Sequence, residues 1–477
     1  MKAHFSLMGL LIFLLNPQPS TAQEIEFDLR NYKTTNYERS SLDLNFDLSQ
    51  RVTSDKQMLD PVLWTDEEFK SDFSTRASIG YNELLLNRKR NISKGLSAST
   101  YILNRRIQED QFRVSPDYIL NKNSFYSFNG SAYRDAEHFY SEDLNQFWKY
   151  RVQLDINTNS SYVINEHDTV KNEDSVFRSL NPLRISGQLG HGFGRIEYVE
   201  DAIEAIYILD ELKQKGIVDE DVTEEQIRSF ADKITQLKKR RYFDNRIYQQ
   251  VVMEEMIQFL NEKKLISSES IGLYNTVNDY HFLAGINTRP SGQKLSYGLT
   301  SNLVVSNSKD RLQESSSLSL GTTVGLKVSY ENYIPVDIHW QRNFSTTLNF
   351  DRSSAISRSN SDDFGEPYIN PYDFSSRTSY LIGYYPSTRT TITSSVYAIL
   401  NLNKLLKFEK LNTRPTVETG LNFSGNYYFS ERLRLNATLN LLFTKDTEPD
   451  VPSNVFSNRD HNYFNQSLEI SFNYYIF

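Results

Sequence analysis

The chain reads as an all-β membrane protein: a closed antiparallel transmembrane β-barrel of about 16 strands, within a range of roughly 14–18, with a small α-helical insert. Three observations lead there. Apolar residues recur at every second position over most of the 477 residues, which puts an apolar and a polar row on opposite faces of each strand. Beyond residue 22 no apolar run approaches the ~20 residues of a membrane-crossing helix, and the mean hydropathy is −0.55. One stretch, from about Val199 to Leu265, changes to a helical period. The polar average does not oppose a barrel, because lipid-facing residues alternate with lumen-facing ones. With 30 Tyr and 29 Phe against 3 Trp, the chain is also rich in the rings that line membrane interfaces.

In chain order, Lys2 precedes the apolar run Phe5 to Leu15, and Asn16-Pro17-Gln18-Pro19 leads to Ser20-Thr21-Ala22. A short apolar run followed by small residues reads as a secretory signal peptide over 1–22, with a mature chain from Gln23. No cysteine follows, so neither a lipoprotein anchor nor a disulfide framework is available, and stability falls to the sheet.

Residues 23–193 hold the first part of the barrel. Leu42, Leu44, Phe46 and Leu48 alternate with Asp43, Asn45, Asp47 and Ser49; Phe73 to Tyr81 follows. Weaker alternations run over Leu96–Ile102, Tyr126–Ala132, Tyr150–Ile156 and Ile185–Leu189, and Ile25, Phe27 and Leu29 supply a further strand. The second part, 279–477, contains Phe282–Ile286, Leu295–Val305, Leu318–Tyr330, Ile338–Phe350, Thr378–Tyr384, Thr390–Leu400, Val417–Tyr427, Leu433–Phe443 and Leu468–Ile476. Leu433, Leu435, Ala437, Leu439, Leu441 and Phe443 oppose Arg434, Asn436, Thr438 and Asn440, one side suited to hydrocarbon and the other to water.

The insert, 194–278, starts with a stripe of Val199, Ala202, Ile203, Ile206 and Leu209 that Gly216 is placed to terminate. Thr223 and Gln226 form a capping-box start for a helix carrying Ile227, Ala231 and Ile234. Ile247, Val251 and Phe259 mark a third stripe. Counting strands back from the C-terminus puts the insert outside the cell, whereas such a unit belongs in the periplasm; the expectation is a periplasmic or partly plugging domain.

The last strand, Leu468, Ile470, Phe472, Tyr474 and Ile476, runs to a terminal Phe477. That ending resembles the C-terminal targeting strand of bacterial outer-membrane β-barrel proteins, and the resemblance extends, porin-like, over the chain apart from the insert. It implies that Phe477 and Tyr475 carry an address for the barrel-insertion machinery, and that the chain resides in the lipid bilayer of a Gram-negative outer membrane.

Little in the sequence carries enzyme chemistry. None of His4, His138, His167, His191, His281, His339 and His461 has a His or Glu at metal-motif spacing, and no metal or other cofactor is expected. The His-x-Ser-Asn type of signature of outer-membrane phospholipases is missing. Glu137-His138 and Glu166-His167-Asp168 fall in expected loops as solvated charge. Gly190-His191-Gly192-Phe193-Gly194-Arg195 lacks a nucleotide fold around it and reads as glycines where a strand bends into the insert. Asp362-Asp363-Phe364-Gly365-Glu366 reads as an acidic loop with calcium ligation as the alternative. Lys238, Lys239, Arg240 and Arg241 form a basic cluster, either a cationic helix end or a contact for anionic lipid or an acidic partner. Asp43, Arg342 and Arg434 are candidates for lumen charge. A net charge of −8 speaks against nucleic acid. The expected function is a porin-like channel or export conduit for small solutes or a polymer, without enzyme activity; the alternative is a scaffold docking a periplasmic partner through its insert.

Overall fold

The computed structural model describes residues 27–34, 36–60, 64–112, 116–140, 145–167, 174–218, 222–239, 245–266, 269–283, 288–310, 315–359, 368–407, 410–429, 433–446 and 461–474. Fourteen strands form one antiparallel meander, each paired with its neighbours in chain order. They are β1 (Asn36–Asp60), β2 (Trp64–Asn87), β3 (Arg90–Phe112), β4 (Pro116–Phe139), β5 (Gln146–His167), β6 (Asp174–Tyr198), β7 (Pro290–Asp310), β8 (Ser315–Pro335), β9 (Trp340–Ser359), β10 (Tyr368–Ser387), β11 (Thr390–Lys407), β12 (Lys410–Tyr428), β13 (Leu433–Asp446) and β14 (His461–Tyr474). Between β6 and β7 stand α1 (Glu200–Gln214), α2 (Glu224–Lys238), α3 (Asn245–Glu262), α4 (Ile271–Val277) and a π-helical turn, Asn278–Leu283.

Register carries the period-two pattern across the sheet. Tyr150, Leu189, Leu299, Leu326, Phe350, Phe374 and Leu402 are successive cross-strand partners from β5 to β11. Leu441, Leu439 and Leu435 on β13 continue that face beside Leu421, Phe423 and Tyr427 of β12. It is an exposed face: Leu44 and Phe46 are each 70% accessible, and Leu468 is 67%. The opposite face holds rows such as Asp43, Gly80, Ser97, Ser131, Asp155 and Arg184.

The buried core lies elsewhere, in the helical unit. Ile203, Ile206 and Leu209 of α1 pack with Ile227, Phe230 and Ile234 of α2 and with Val252, Met256 and Leu260 of α3. A fully buried aliphatic or aromatic side chain contributes about 1.5–3 kcal/mol. Gly216 ends the first helix at φ +67°, where an L side chain is disfavoured, and the Thr223–Gln226 capping box is formed. The third stripe is displaced from Val251 to Val252, and the side chain of Ile247 lies outside the described residues.

Two of the sixteen expected strands do not form where the structure describes them. Phe282 lies in the π-helical turn and packs on the helical core, and Leu29 starts a 3-10 turn, Leu29–Asn31, and is buried in the same core. Both have local alternation, but the helical core claims their side chains. Eight strands follow the insert, so it shares an end of the sheet with the start of β1, the end of β14 and the tight β2–β3, β8–β9 and β10–β11 turns.

Candidate functional site at the strapped end of the sheet

The sheet is strongly curved. Lys294 on β7 donates to Glu137 on β4 at 2.9 Å, although the two strands are three positions apart. A flat sheet would separate them by about 14 Å at the usual ~4.8 Å spacing, so the polar face must be concave for these side chains to meet. At the end of β6, Arg195 donates to Asn87 and Arg88 carbonyls of the β2–β3 turn at 2.6 and 3.1 Å.

Glycines on the polar face of β6 make room for these crossings. Gly190 pairs with Lys149 on one side and Gly298 on the other. With no side chain in the way, the Lys149 ammonium reaches past β6 to Ser296 of β7 at 2.9 Å. A Cβ on Gly192 would fall 2.3 Å from the Phe147 ring, which lies over it fully buried. The Gly190–Gly194 segment therefore lies within the strand, not at a bend into the insert, and its glycines accommodate close neighbours.

A cavity of about 360 Å³ opens on this face, lined by Asp135, Glu137, Lys294, Glu331, Tyr198 and Tyr333 among others. Lys294 also stands 3.6 Å from Glu331, and its side chain is 18% exposed. Phe27 to Thr34 strap across the same end. Thr34 donates its N–H to Glu197 at 3.1 Å and its hydroxyl to the Tyr198 carbonyl at 3.0 Å, four strands beyond the β2 partner of β1. Leu29 and Tyr32 enter the helical core, and Arg228 of α2 donates to the Asn31 carbonyl at 3.0 Å.

An ionic network locks the helical unit internally. Lys238 lies 2.6 Å from Asp201 and 2.7 Å from Glu204, Thr235 donates to Asp201 at 2.5 Å, and His281 donates to Glu204. Burial opposes the charge on Glu204, but Lys238 and His281 outweigh it and hold the carboxyl below its usual range. Burial likewise opposes the charge on Lys238, and Glu204 and Asp201 override it and push the ammonium up. Arg289, buried just before β7, then clasps the unit to the sheet. It donates to the Asp337 and Trp340 carbonyls at 2.7 and 3.0 Å, and to that of Ile338, while its guanidinium sits 4.7 Å over the Tyr385 ring. Tyr207 of α1 reaches the Tyr385 carbonyl of the same strand end at 3.4 Å.

The candidates read from sequence fall differently. Asp43 and Arg434 occupy the polar face, Arg434 with its guanidinium 4.5 Å from the Tyr428 ring. Arg342 does not. Its partners are Ile334 and Ile382, in the row of Phe344 and Phe350, so its parity puts it on the apolar face. Lys238 is turned into its own helical unit and not toward lipid or a partner; Lys239 follows at the α2 cap, and Arg240 and Arg241 lie outside the described residues. Glu137 and His138 are adjacent in β4, in a strand and not a loop, and project to opposite faces. His138 stacks on Trp148 at 4.5 Å. His191 packs near Tyr297 and Phe193, also within a strand. His339 of the β8–β9 turn donates to the Tyr385 carbonyl at 2.9 Å. His4, Asp362, Asp363, Glu366, Tyr475 and Phe477, and the side chains of His167 and His461, lie outside the described residues. Lys294, Lys149 and Arg289 were not singled out from the sequence. The available signal was the pair Gly190 and Gly192, spaced by two and so opening one face of one strand.

No family model matches the chain, and no curated relative matches it. Among solved structures, the transport unit of the autotransporter AIDA-I from Escherichia coli superposes with a TM-score of 0.29 at 8% identity, over 86% of this chain and 95% of that one. The translocator domain of autotransporter NalP from Neisseria meningitidis gives 0.24 at 6% identity, over 94% and 91%. Superpositions this loose carry no argument about mechanism.

Proposed function

We propose that the chain is an outer-membrane β-barrel that conducts solutes along its polar face, with the helical unit and the Phe27–Thr34 strap narrowing its periplasmic end. The supporting observation is the exposed apolar face, which runs in register through the meander while charge and hydroxyls occupy the concave side. In water a contiguous apolar surface of that extent is a liability; in lipid it is the required exterior. Tyr150 and Tyr162 bracket the apolar run of β5. At ~3.3 Å per residue and a tilt near ~45°, they are offset by about 28 Å along the membrane normal, a bilayer's hydrocarbon thickness. Stacked rings at the strapped end, Trp148 with His138 and Trp340 with Tyr384, suit the interface there.

Closure follows from the same solvent. An edge strand in hydrocarbon leaves unpaired backbone groups at several kcal/mol each, so β1 and β14, which pair among the described residues with β2 and β13 alone, must meet in the membrane on this reading. An even strand number keeps that closing pair antiparallel and both strand termini at one end. The scaffold reading loses its support, because the helical stripes are used up in the unit's own core. Ile271 and Tyr274 are the large apolar side chains that the described part of the unit exposes.

The test is planar-bilayer recording of the purified full chain, with heat-dependent gel mobility establishing that it is folded. Stable conductance steps are expected. A folded, inserted protein that stays silent would overturn the conduit and return the scaffold reading.

A further inference from the structure

We propose that the Lys294–Glu137–Glu331 bridge, with Asp135 and Lys149 beside it, is the constriction that sets the ion preference of the pathway. The inference rests on the conduit reading of the same face. Glu137 is the cross-strand partner of Lys149, and Asp135 lies two residues away on the same face of β4. Lys294 spans β7 to β4 and approaches Glu331 of the adjacent β8. One lysine thus ties three strand positions of a concave wall into a chord, and the cavity it borders is of small-solute size, about 360 Å³.

Three features separate this cluster from ordinary lumen charge. Gly190 and Gly298, paired across β6 and β7, clear the wall where Lys149 and Lys294 cross, so the basic groups converge rather than splay. The site sits at the strapped end of the sheet, beside the helical unit, with Thr288 of the linker and Pro290 at the start of β7 lining the same cavity. Its groups are largely shielded, with the Lys294 and Glu137 side chains 18% and 13% exposed, so a charge change here acts with little water between it and a passing ion. Arg151, the cross-strand partner of Asp135, and Lys327, the partner of Gly298, stand on the same face, so three carboxylates and four cations share it, and removing one charge of the bridge moves that balance in a known direction.

The experiment is reversal potential across a potassium chloride gradient in planar bilayers, for the full chain and for Lys294→Gln, Glu137→Gln and Lys294→Arg. Lys294→Gln should shift the permeability ratio several-fold toward potassium, Glu137→Gln should shift it several-fold toward chloride, and Lys294→Arg, which keeps the charge, should hold the wild-type ratio. Heat-dependent mobility of each variant establishes folding, and Lys294→Arg and Glu137→Gln carry the comparison if Lys294→Gln does not fold. A conducting protein whose ratio is unmoved by Glu137→Gln or Lys294→Gln overturns this assignment and leaves the conduit standing. A folded wild type without steps overturns the conduit, and this assignment with it.

Discussion

Replacing Lys238 with Ala should loosen the helical unit while leaving the sheet intact. The ammonium lies 2.6 Å from Asp201 and 2.7 Å from Glu204, whose side chains are 4% and 2% exposed. Removing one partner of a buried pair costs about 3–5 kcal/mol, because the remaining charge stays buried without compensation. Lys238 itself is 33% exposed, and Thr235 and His281 still serve the two acids, so the lower end applies, about 3 kcal/mol. That corresponds to roughly two orders of magnitude in an opening equilibrium. Amide hydrogen exchange in detergent measures it directly: protection over α1 and α2 should fall about a hundredfold, with the amides of β7 and β8 as the internal reference. Unchanged protection in α1 and α2 would show that the network does not hold the unit together. Equal loss in the strands would show that the unit does not open separately.

The same network fixes a pH window. Glu204 is held below its usual value, so its contribution is present above about pH 4.5 and is lost as pH falls through the folded value. Lys238 is pushed up, so its contribution is present below about 10.5 and disappears as pH rises through its folded value. Exchange protection of α1 should therefore be level across neutral pH and fall at both extremes; a steep change between pH 6 and 8 would contradict this. Thr223→Ala removes the capping box and Gly216→Ala forces a side chain into left-handed backbone; each should cost the unit about 1 kcal/mol in urea unfolding, whereas Gln258→Ala, on an exposed helical position, should leave it level. Leu44→Arg, on the apolar face, should cost about 2–4 kcal/mol when folding into vesicles is followed by gel mobility, while Asn45→Arg, one residue on, should be tolerated. Equal penalties at the two positions would remove the distinction between the faces.

The meander was legible because its faces are set by a period-two pattern that no distant contact has to enforce, as Leu433–Phe443 shows. The strand count was less so. Phe282 and Leu29 alternate locally, yet both complete a core built from helices that lie far from at least one of them in sequence. Arg342 was misassigned for a reason visible in the pattern itself: it shares parity with Ile338, Phe344 and Phe350, and so the apolar face. Lys238 had a similar clue. It continues the stripe of Ile227, Ala231 and Ile234 by one further turn, which aims it into the unit and not at a partner. In α3, adjacent apolar pairs such as Val251-Val252 blur the phase, and the stripe was placed one residue off. The Lys294–Glu137 bridge was beyond reach, because its partners are 157 positions apart and meet only through the curvature of the sheet.

The chain has no cysteine, so single labelling positions can be introduced without background. Nitroxides placed one at a time at 434–442 along β13, in the full chain in lipid vesicles, would report collision with oxygen and with a polar nickel complex. Leu435, Ala437, Leu439 and Leu441 should be oxygen-accessible, and Arg434, Asn436, Thr438 and Asn440 accessible to the nickel complex, alternating at every residue. Uniform access to the polar reagent along the strand would contradict a lipid-facing barrel with a hydrated interior.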